Sequence, residues 1–489
     1  MKKAKTFLIN SIILILTSLL AKVICSTFDI YIANKIGAEA LGVFGLIGST
    51  YFFFVTLASS GINLATTKVM SEELELNEKT NTNCILKKSL LFSGITGSLS
   101  CALLIIFTPY IVKHILINKV TTITLYILAL SLPFIALSSS LSSYFYAKRK
   151  VLSVAMTQIL AQLIRMLTIY LLLRLAKDIS SCIICLVIGG VTSELITFLL
   201  HFAIYKKVSQ KESFIVKPNN ISKRILKIAI PIALTSYLRA GLNTIKHTLI
   251  PLRLKLTGMS YEIALSNYGA ITGMALPIIM FGSVIVYSFS SLLVPEFSRY
   301  SILTEQGEMK KDIHKLFKCT LYFSIGLTGI LIYFGNAIGT MIYNTQNIGY
   351  YIKLLAPLIS LIYLDNVIDN ILKGLGKQVS VMICNIIDMI VSISFIYLLL
   401  PKFGANGYIV VMYISEILNY IISVLTLFKT TDVKFKYFEW IITPTLSIIL
   451  SILITKLFST TILIKIILSL FVYLIILFFT NIKRGIIII

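Results

Sequence analysis

The chain has 489 residues, of which 57% are hydrophobic and only 13% are Asp, Glu, Lys or Arg; its mean hydropathy is +0.92. Soluble globular proteins carry about 45–50% apolar and about 25% charged residues, which excludes a soluble enzyme, a disordered chain and a disulfide-rich secreted domain. The balance of 44 basic against 20 acidic residues, a net +24, reads as Lys and Arg kept in cytoplasmic loops rather than as a nucleic-acid surface.

The first apolar run starts behind Lys2, Lys3 and Lys5 in the manner of a signal peptide. It continues through Lys22 to Phe28 with no small-residue cleavage site, so it reads as the first span, near 6–28. Further apolar stretches follow near 41–66, 89–112, 121–146, 154–175, 181–204, 226–252, 267–292, 317–341, 350–372, 379–400, 406–428, 438–457 and 461–480. At about 20 residues per crossing each is long enough to span. All are expected to be helices, because only helices and closed barrels satisfy the backbone in lipid, and strand alternation is absent. The expected class is therefore an all-α polytopic membrane protein with about 14 transmembrane helices.

Placing both termini in the cytoplasm puts 28 Lys and Arg in inside segments and 7 in outside loops, the asymmetry that orients polytopic proteins. The longest basic connection, 205–227, holds Lys206, Lys207, Lys211, Lys217, Lys223, Arg224 and Lys227 and reads as a cytoplasmic linker near anionic lipid. It divides the chain into an N-lobe of spans 1–6 (1–204) and a C-lobe of spans 7–12 (228–428), with spans 13–14 (429–489) as an appended pair. LTSLL at 16–20 and LTSYL at 234–238 lie 218 residues apart, and YLLL at 170–173 recurs at 397–400, 227 residues on. Equal even numbers of spans make the lobes a parallel repeat, the arrangement of many secondary transporters with a site between halves. The seven cysteines suggest no disulfide framework. Cys182 and Cys185 sit three apart inside an apolar run and read as helix-packing residues.

Nine cations fall inside the apolar windows. Arg174, Lys318, Lys353, Lys456 and Lys465 lie near span ends, where they are expected to snorkel. Lys22, Arg165, Arg239 and Lys246 lie deeper, and a cation at a helix centre costs about 2.5–3.5 kcal/mol on insertion scales. On span seven, Ser236, Arg239, Asn243 and Lys246 make one polar stripe; on span one, Ser18, Lys22, Cys25 and Asp29 do the same. These stripes are expected to face a cavity that receives an anionic substrate, with buried ion pairs such as Lys22–Asp29 as the structural alternative. Glu194, Asp365, Asp369, Asp388 and Glu416 are the intramembrane carboxylates; all but Glu194 are candidates for ion coupling. The four histidines form no ligand pattern, and no nucleotide motif occurs. The reading therefore contains no metal, no cofactor, no catalytic residue and no nucleic-acid partner.

The stretch 228–295 opens on Pro231-Ile-Ala-Leu234 and continues through Ile250-Pro251. It then carries a YGxxxGMAxP block (Tyr268, Gly269, Gly273, Met274, Ala275, Pro277) and closes on Leu293-Val-Pro295. The first half adds IGAEALGVF at 36–44, and the second adds LKGLGKQ at 372–378 and PKFGANGY at 401–408. In these motifs the chain resembles the stage V sporulation protein B family, among the polysaccharide and lipid-linked-oligosaccharide flippases. The resemblance runs from about residue 7 to 428 and implies a multidrug-and-toxin-extrusion-like fold of two six-helix lobes in a V. It also implies transfer of an undecaprenyl-pyrophosphate-linked sugar from the inner to the outer leaflet of the bacterial cell membrane, in spore cortex synthesis. The implied partners are that lipid-linked anionic sugar, membrane lipids and peptidoglycan-synthesis proteins, with the chain acting as a monomer.

The related lipid II flippases carry Arg-Val-Leu-Gly-Phe-Ala-Arg-Asp in the first span, where this chain has Lys22-Val-Ile-Cys-Ser-Thr-Phe28-Asp29. The first cation and the aspartate are kept in kind, Phe28 replaces the second arginine, and Thr272 stands where those flippases place another. The substrate-binding set expected here is Lys22, Asp29, Arg165, Ser236, Arg239, Asn243 and Lys246. A cation-coupled multidrug exporter of the same fold is the alternative function. A membrane glycosyltransferase or ligase is a further one, against which the outside loops are short and offer only Asp29, Glu39, Asp178 and Glu262.

Overall fold

The computed structural model describes residues 2–76, 81–117, 121–209, 220–291, 294–303, 306–343, 346–431, 433, 435–458 and 460–482. Side chains are described from Lys22 onward, except at 291, 295, 301–303, 346 and 481–482. The Ser18 end of the first polar stripe and linker residues 210–219 lie outside these. Among the described residues there are seventeen α-helices and no strand.

Residues 43–248 form one compact unit. It contains the end of α1 (Lys2–Ser59), then α2 (Ile62–Leu76), α3 (Thr82–Tyr110), α4 (Thr122–Ala147), α5 (Val151–Leu172), α6 (Ile179–Ser209) and most of α7 (Ile221–Lys255). Its core joins Val69 and Met70 of α2, Ile85 and Leu86 of α3, Tyr144 and Phe145 of α4, and Ile225 and Ala229 of α7. In an apolar setting helices associate through close packing and hydroxyl bonds, and this unit uses both. Thr66, Ser89 and Ser140 form a ladder with 2.7 Å steps. His201 bridges Ser138 at 2.9 Å and Thr157 at 2.8 Å. At the linker end of α7, Arg224 reaches Glu72 at 2.9 Å and also pairs with Glu73.

Residues 1–42 and 249–489 form the other unit. After α8 (Tyr261–Gly269) a π-turn at Ala270–Ala275 leads into α9 (Leu276–Phe281), followed by α10 (Ser283–Ser291) and α11 (Val294–Leu303). Then come α12 (Gln306–Tyr343), α13 (Gln346–Leu355), α14 (Leu358–Gly374), α15 (Gln378–Thr431), α16 (Thr443–Lys456) and α17 (Ile462–Ile482). The first helix meets α8 backbone to backbone: a Cβ added at Gly42 would strike the Leu265 carbonyl, and one at Gly269 the Ala38 carbonyl. Gly326 and Gly329 of α12 make room for Tyr473 of α17 and Ile448 of α16, and the Tyr473 hydroxyl donates to the Tyr322 carbonyl at 2.6 Å.

Among the described residues eleven helices are long and apolar enough to cross a membrane, or twelve if the pair bent by 48° between Leu355 and Leu358 is one span. Two of the eleven exceed fifty residues and are broken at glycine, Gly37 at φ 79° and Gly404 at φ 58°. Only glycine enters that left-handed region without strain. Each of these two stretches is long enough for two crossings at about 20 residues apiece, a pattern compatible with the expected fourteen.

One expectation is corrected here. Lys318 does not snorkel at a span end: it is 7% exposed, its ammonium lies 3.2 Å from Glu439, and it sits over the Tyr322 ring. The physical reason is the π-turn at Phe438–Ile442. It brings Glu439 and Trp440 onto α12 and covers the lysine.

Candidate functional site

On α7, Tyr237 donates to the Leu57 carbonyl at 3.3 Å, Thr244 donates to the Ser49 carbonyl at 2.9 Å, and Gly241 faces Phe53. These three residues, four and three apart, define the face that packs on the end of α1. At 100° per residue the stripe of Ser236, Arg239, Asn243 and Lys246 points about two-fifths of a turn away from that face. Arg239 is exposed, Asn243 and Lys246 half-buried, and Ser236 is turned back onto its own helix, bonding the Ile232 carbonyl at 2.9 Å. Arg165, on α5 in the same unit, is half-buried. Its Nε is buried without a hydrogen-bond partner, and it interacts electrostatically with Glu194 of α6.

Lys22 and Asp29 belong to the other unit and are both exposed. Asp29 borders an apolar cavity of about 390 Å³, walled by Val23 and Ile30 of α1, Phe281 of α9, Leu331 of α12 and Leu470 of α17, and it lies within electrostatic reach of Tyr343. A hydrocarbon-lined hollow with one carboxylate at its border suits a lipid chain better than a polar head group.

The acidic candidates converge on α14 and α15. Asn419 donates to Asp365 Oδ2 at 2.7 Å, while Asp365 Oδ1 is buried with no hydrogen-bond partner. Ser415 donates to Asp388 and accepts from Ser392 at 2.8 Å. The Cys384 thiol lies 3.3 Å from Asn419 Oδ1. Asp369 and Asp388 both act electrostatically on Asp365, and Asp369 is held at 3.7 Å by Lys373, one turn along. Glu416 follows Ser415 on the neighbouring flank of α15. Asp365 thus carries one orphaned, buried oxygen, with two further carboxylates within electrostatic reach.

Asn419, Ser415 and Cys384, with Ser423 3.9 Å from the Cys384 thiol, were not among the candidates read from the sequence. The signal was present: Ser415, Asn419 and Ser423 are four apart in succession on an otherwise apolar span, the same kind of stripe that singled out α7.

Residues 7–301 match the family described as polysaccharide biosynthesis protein. The chain is 24% identical over 451 residues to Stage V sporulation protein B of Bacillus subtilis (strain 168), covering 89% of this chain and 86% of that one. It is 20% identical over 403 residues to Sporulation protein YkvU of the same organism, covering 80% and 88%. Among solved structures it is similar to Lipid II flippase MurJ in an inward closed conformation, with TM-score 0.71, 16% identity, and 96% of this chain and 99% of that chain covered. It is also similar to a multidrug resistance MATE family transporter in an inward-facing conformation, with TM-score 0.66, 13% identity, and 84% and 94% covered. The chain is thus a multi-pass membrane protein with the fold shared by these transporters. With more than half of its residues matched, it belongs to the polysaccharide biosynthesis protein family.

Proposed function

We propose that this protein is a secondary flippase that carries an undecaprenyl-pyrophosphate-linked sugar from the inner to the outer leaflet by alternating access, with no chemical step of its own. The observation that carries the reading is the α7 stripe. Arg239 and Lys246 stand on a membrane-spanning helix, turned away from the face that packs. Intramembrane cations kept at that cost mark a substrate path, and a pyrophosphate is the anion a lipid-linked sugar presents. Arg165 adds a cation in the same unit and Asn243 a hydrogen-bonding amide, while Ser236 keeps its hydroxyl proton on the Ile232 carbonyl; Lys22 and Asp29, in the other unit, serve as substrate-binding residues of that unit. An inside-negative potential favours outward movement of anionic charge by about 2.3 kcal/mol per charge per 100 mV.

The names of the sporulation relatives favour a peptidoglycan-type precursor for the spore cortex as cargo, and peptidoglycan-synthesis proteins as neighbours of a monomeric transporter. Both termini then lie in the cytoplasm, and the lobes of the transport cycle are 1–204 and 228–428, with 429–489 as an accessory pair. Asp365, Asp369, Asp388 and Glu416 serve as the ion-coupling group.

A cation-coupled drug exporter of the same fold is the second reading, and the unpartnered oxygen of Asp365 favours it. Proteoliposomes decide between them. Fluorescent undecaprenyl-pyrophosphoryl disaccharide should become accessible to an outside reagent with the wild-type chain, and about tenfold more slowly with Arg239→Ala or Lys246→Ala at equal protein content, the factor expected for losing a charge-assisted contact. Equal rates in wild type and variants, or transport of cationic dyes instead, would overturn the flippase reading.

A further inference from the structure

The unit of residues 1–42 and 249–489 holds a second hollow, at span ends that the charge count places outside. Its volume is about 400 Å³, and its polar lining is Asn34, Ser266, Asn267, Asn347, Tyr350 and Tyr351, with Tyr343, whose hydroxyl is spent on the Met274 carbonyl at 3.1 Å. None of its lining residues is charged, in a chain of net charge +24. Such a lining offers no countercharge to a phosphate or a carboxylate. Three carboxamides and a serine hydroxyl instead supply paired donors and acceptors, and the volume is at the lower end for small-molecule sites.

The polar groups are held in place. Asn34 donates to the Ile342 carbonyl at 2.7 Å, which fixes its amide beside the left-handed turn at Gly37. Tyr351 donates to Asn267 Oδ1 at 3.3 Å. The other end of the Asn267 amide meets only the Met259 thioether, at 3.8 Å, a weak acceptor that a ligand hydroxyl readily outcompetes. The Tyr350 and Tyr351 rings, both in the lining, stand edge to face with centroids 5.6 Å apart, with Tyr350 exposed. Neutral amide pairs beside aromatic faces match a ring that carries hydroxyls on its rim and C–H bonds on its faces.

We propose that this hollow binds a pyranose, hexose or N-acetylhexosamine, of the glycan that the proposed flippase delivers. The site rests on that flippase reading for its purpose, though its binding chemistry stands by itself. It holds the sugar part of the cargo.

The test is saturation-transfer NMR on the full chain in nanodiscs, with free N-acetylglucosamine and free glucose as probes. Wild type should give a sugar signal. Asn267→Leu should weaken binding about tenfold, because a sugar hydroxyl is left unpaired; Tyr351→Phe, which keeps the ring and loses the bond to Asn267, should weaken it about threefold. If Asn267→Leu does not fold, Tyr351→Phe decides. No signal with wild type, or a signal that both variants leave unchanged, overturns the proposal. Sugar binding that persists while lipid-linked disaccharide fails to flip would end the flippase reading and leave the pocket standing. Flipping of the lipid-linked disaccharide without any sugar signal would end the pocket and leave the flippase.

Discussion

Asn419 donates a 2.7 Å hydrogen bond to Asp365 from a different helix, and only one of the two carboxylate oxygens is thereby satisfied. Ser415 and Cys384 attach Asp388 and Asn419 to the same group. An unpaired buried polar atom costs about 1–3 kcal/mol, a cost that a bound proton or monovalent cation removes.

Asp365→Asn should therefore abolish any dependence of transport on a proton or sodium gradient while membrane abundance stays near wild type. Flux measured in proteoliposomes with and without an imposed gradient checks this. Asn419→Leu, by contrast, removes the 2.7 Å bond to Asp365 and should lower stability by about 1–3 kcal/mol, read as an earlier thermal unfolding midpoint. Gradient-dependent flux in Asp365→Asn would remove the acidic cluster from the coupling mechanism.

Backbone contact between α1 and α8 makes a second prediction. Gly269→Ala and Gly42→Ala each drive a methyl into a facing carbonyl. Overpacking a filled core costs about 1–3 kcal/mol, and here backbone rather than a side chain has to yield. Both variants should reach the membrane at clearly reduced abundance. Gly48→Ala, on the same helix with open space around the added carbon, should be indistinguishable from wild type.

Lys318 and Glu439 give a third, with a built-in reporter. Lys318→Met leaves a mostly buried carboxylate whose remaining ionic contact, Lys436, is 3.7 Å away. Breaking a buried pair costs up to about 3–5 kcal/mol. Trp440, the chain's single tryptophan, is buried against Phe317 and Phe435, so loosening should shift its emission to the red. The double variant Lys318→Met with Glu439→Gln should recover the wild-type spectrum; an unshifted spectrum in the single variant would show that the pair does not hold this segment.

Orientation is checked by two introduced thiols. Leu256→Cys, exposed in the loop after α7, should react with an impermeant maleimide on intact cells above the wild-type background. Gln378→Cys, exposed at the start of α15, should react only after lysis. The opposite pattern would reverse the charge count and the direction proposed for transport.

Hydropathy alone made the spans legible, because lipid leaves the backbone no option but helix. Asp365, Asp369 and Asp388 stood out for a similar reason: a carboxylate in an apolar run has no bland explanation. Asn419 and Ser415 did not, since small polar residues serve equally well for ordinary helix packing, and only their register with Asp365 on α14 and with Asp388 across the Gly404 break in α15 reveals the cluster. IGAEALGVF and PKFGANGY were legible as motifs, whereas the structure gives them a physical role, since Gly37 and Gly404 break the long helices that contain them. The π-turns had no sequence signature. Each depends on an extra residue being absorbed against neighbours distant in sequence, and the one at Phe438–Ile442 is why Lys318 looked like a snorkelling residue.

The seam between Gly42 and Gly269 also orders events during synthesis. Residues 43–248 are continuous, so that unit can close as soon as its own helices have emerged. The first helix has no such option: its partner α8 is made 227 residues after Gly42, which at 5–20 residues per second is a delay of roughly 10–45 s. Throughout that interval the segment carrying Lys22 and Asp29 must wait in the bilayer without α8. A slow or paused ribosome lengthens the wait, and a membrane chaperone or quality-control protease would find its best opportunity there.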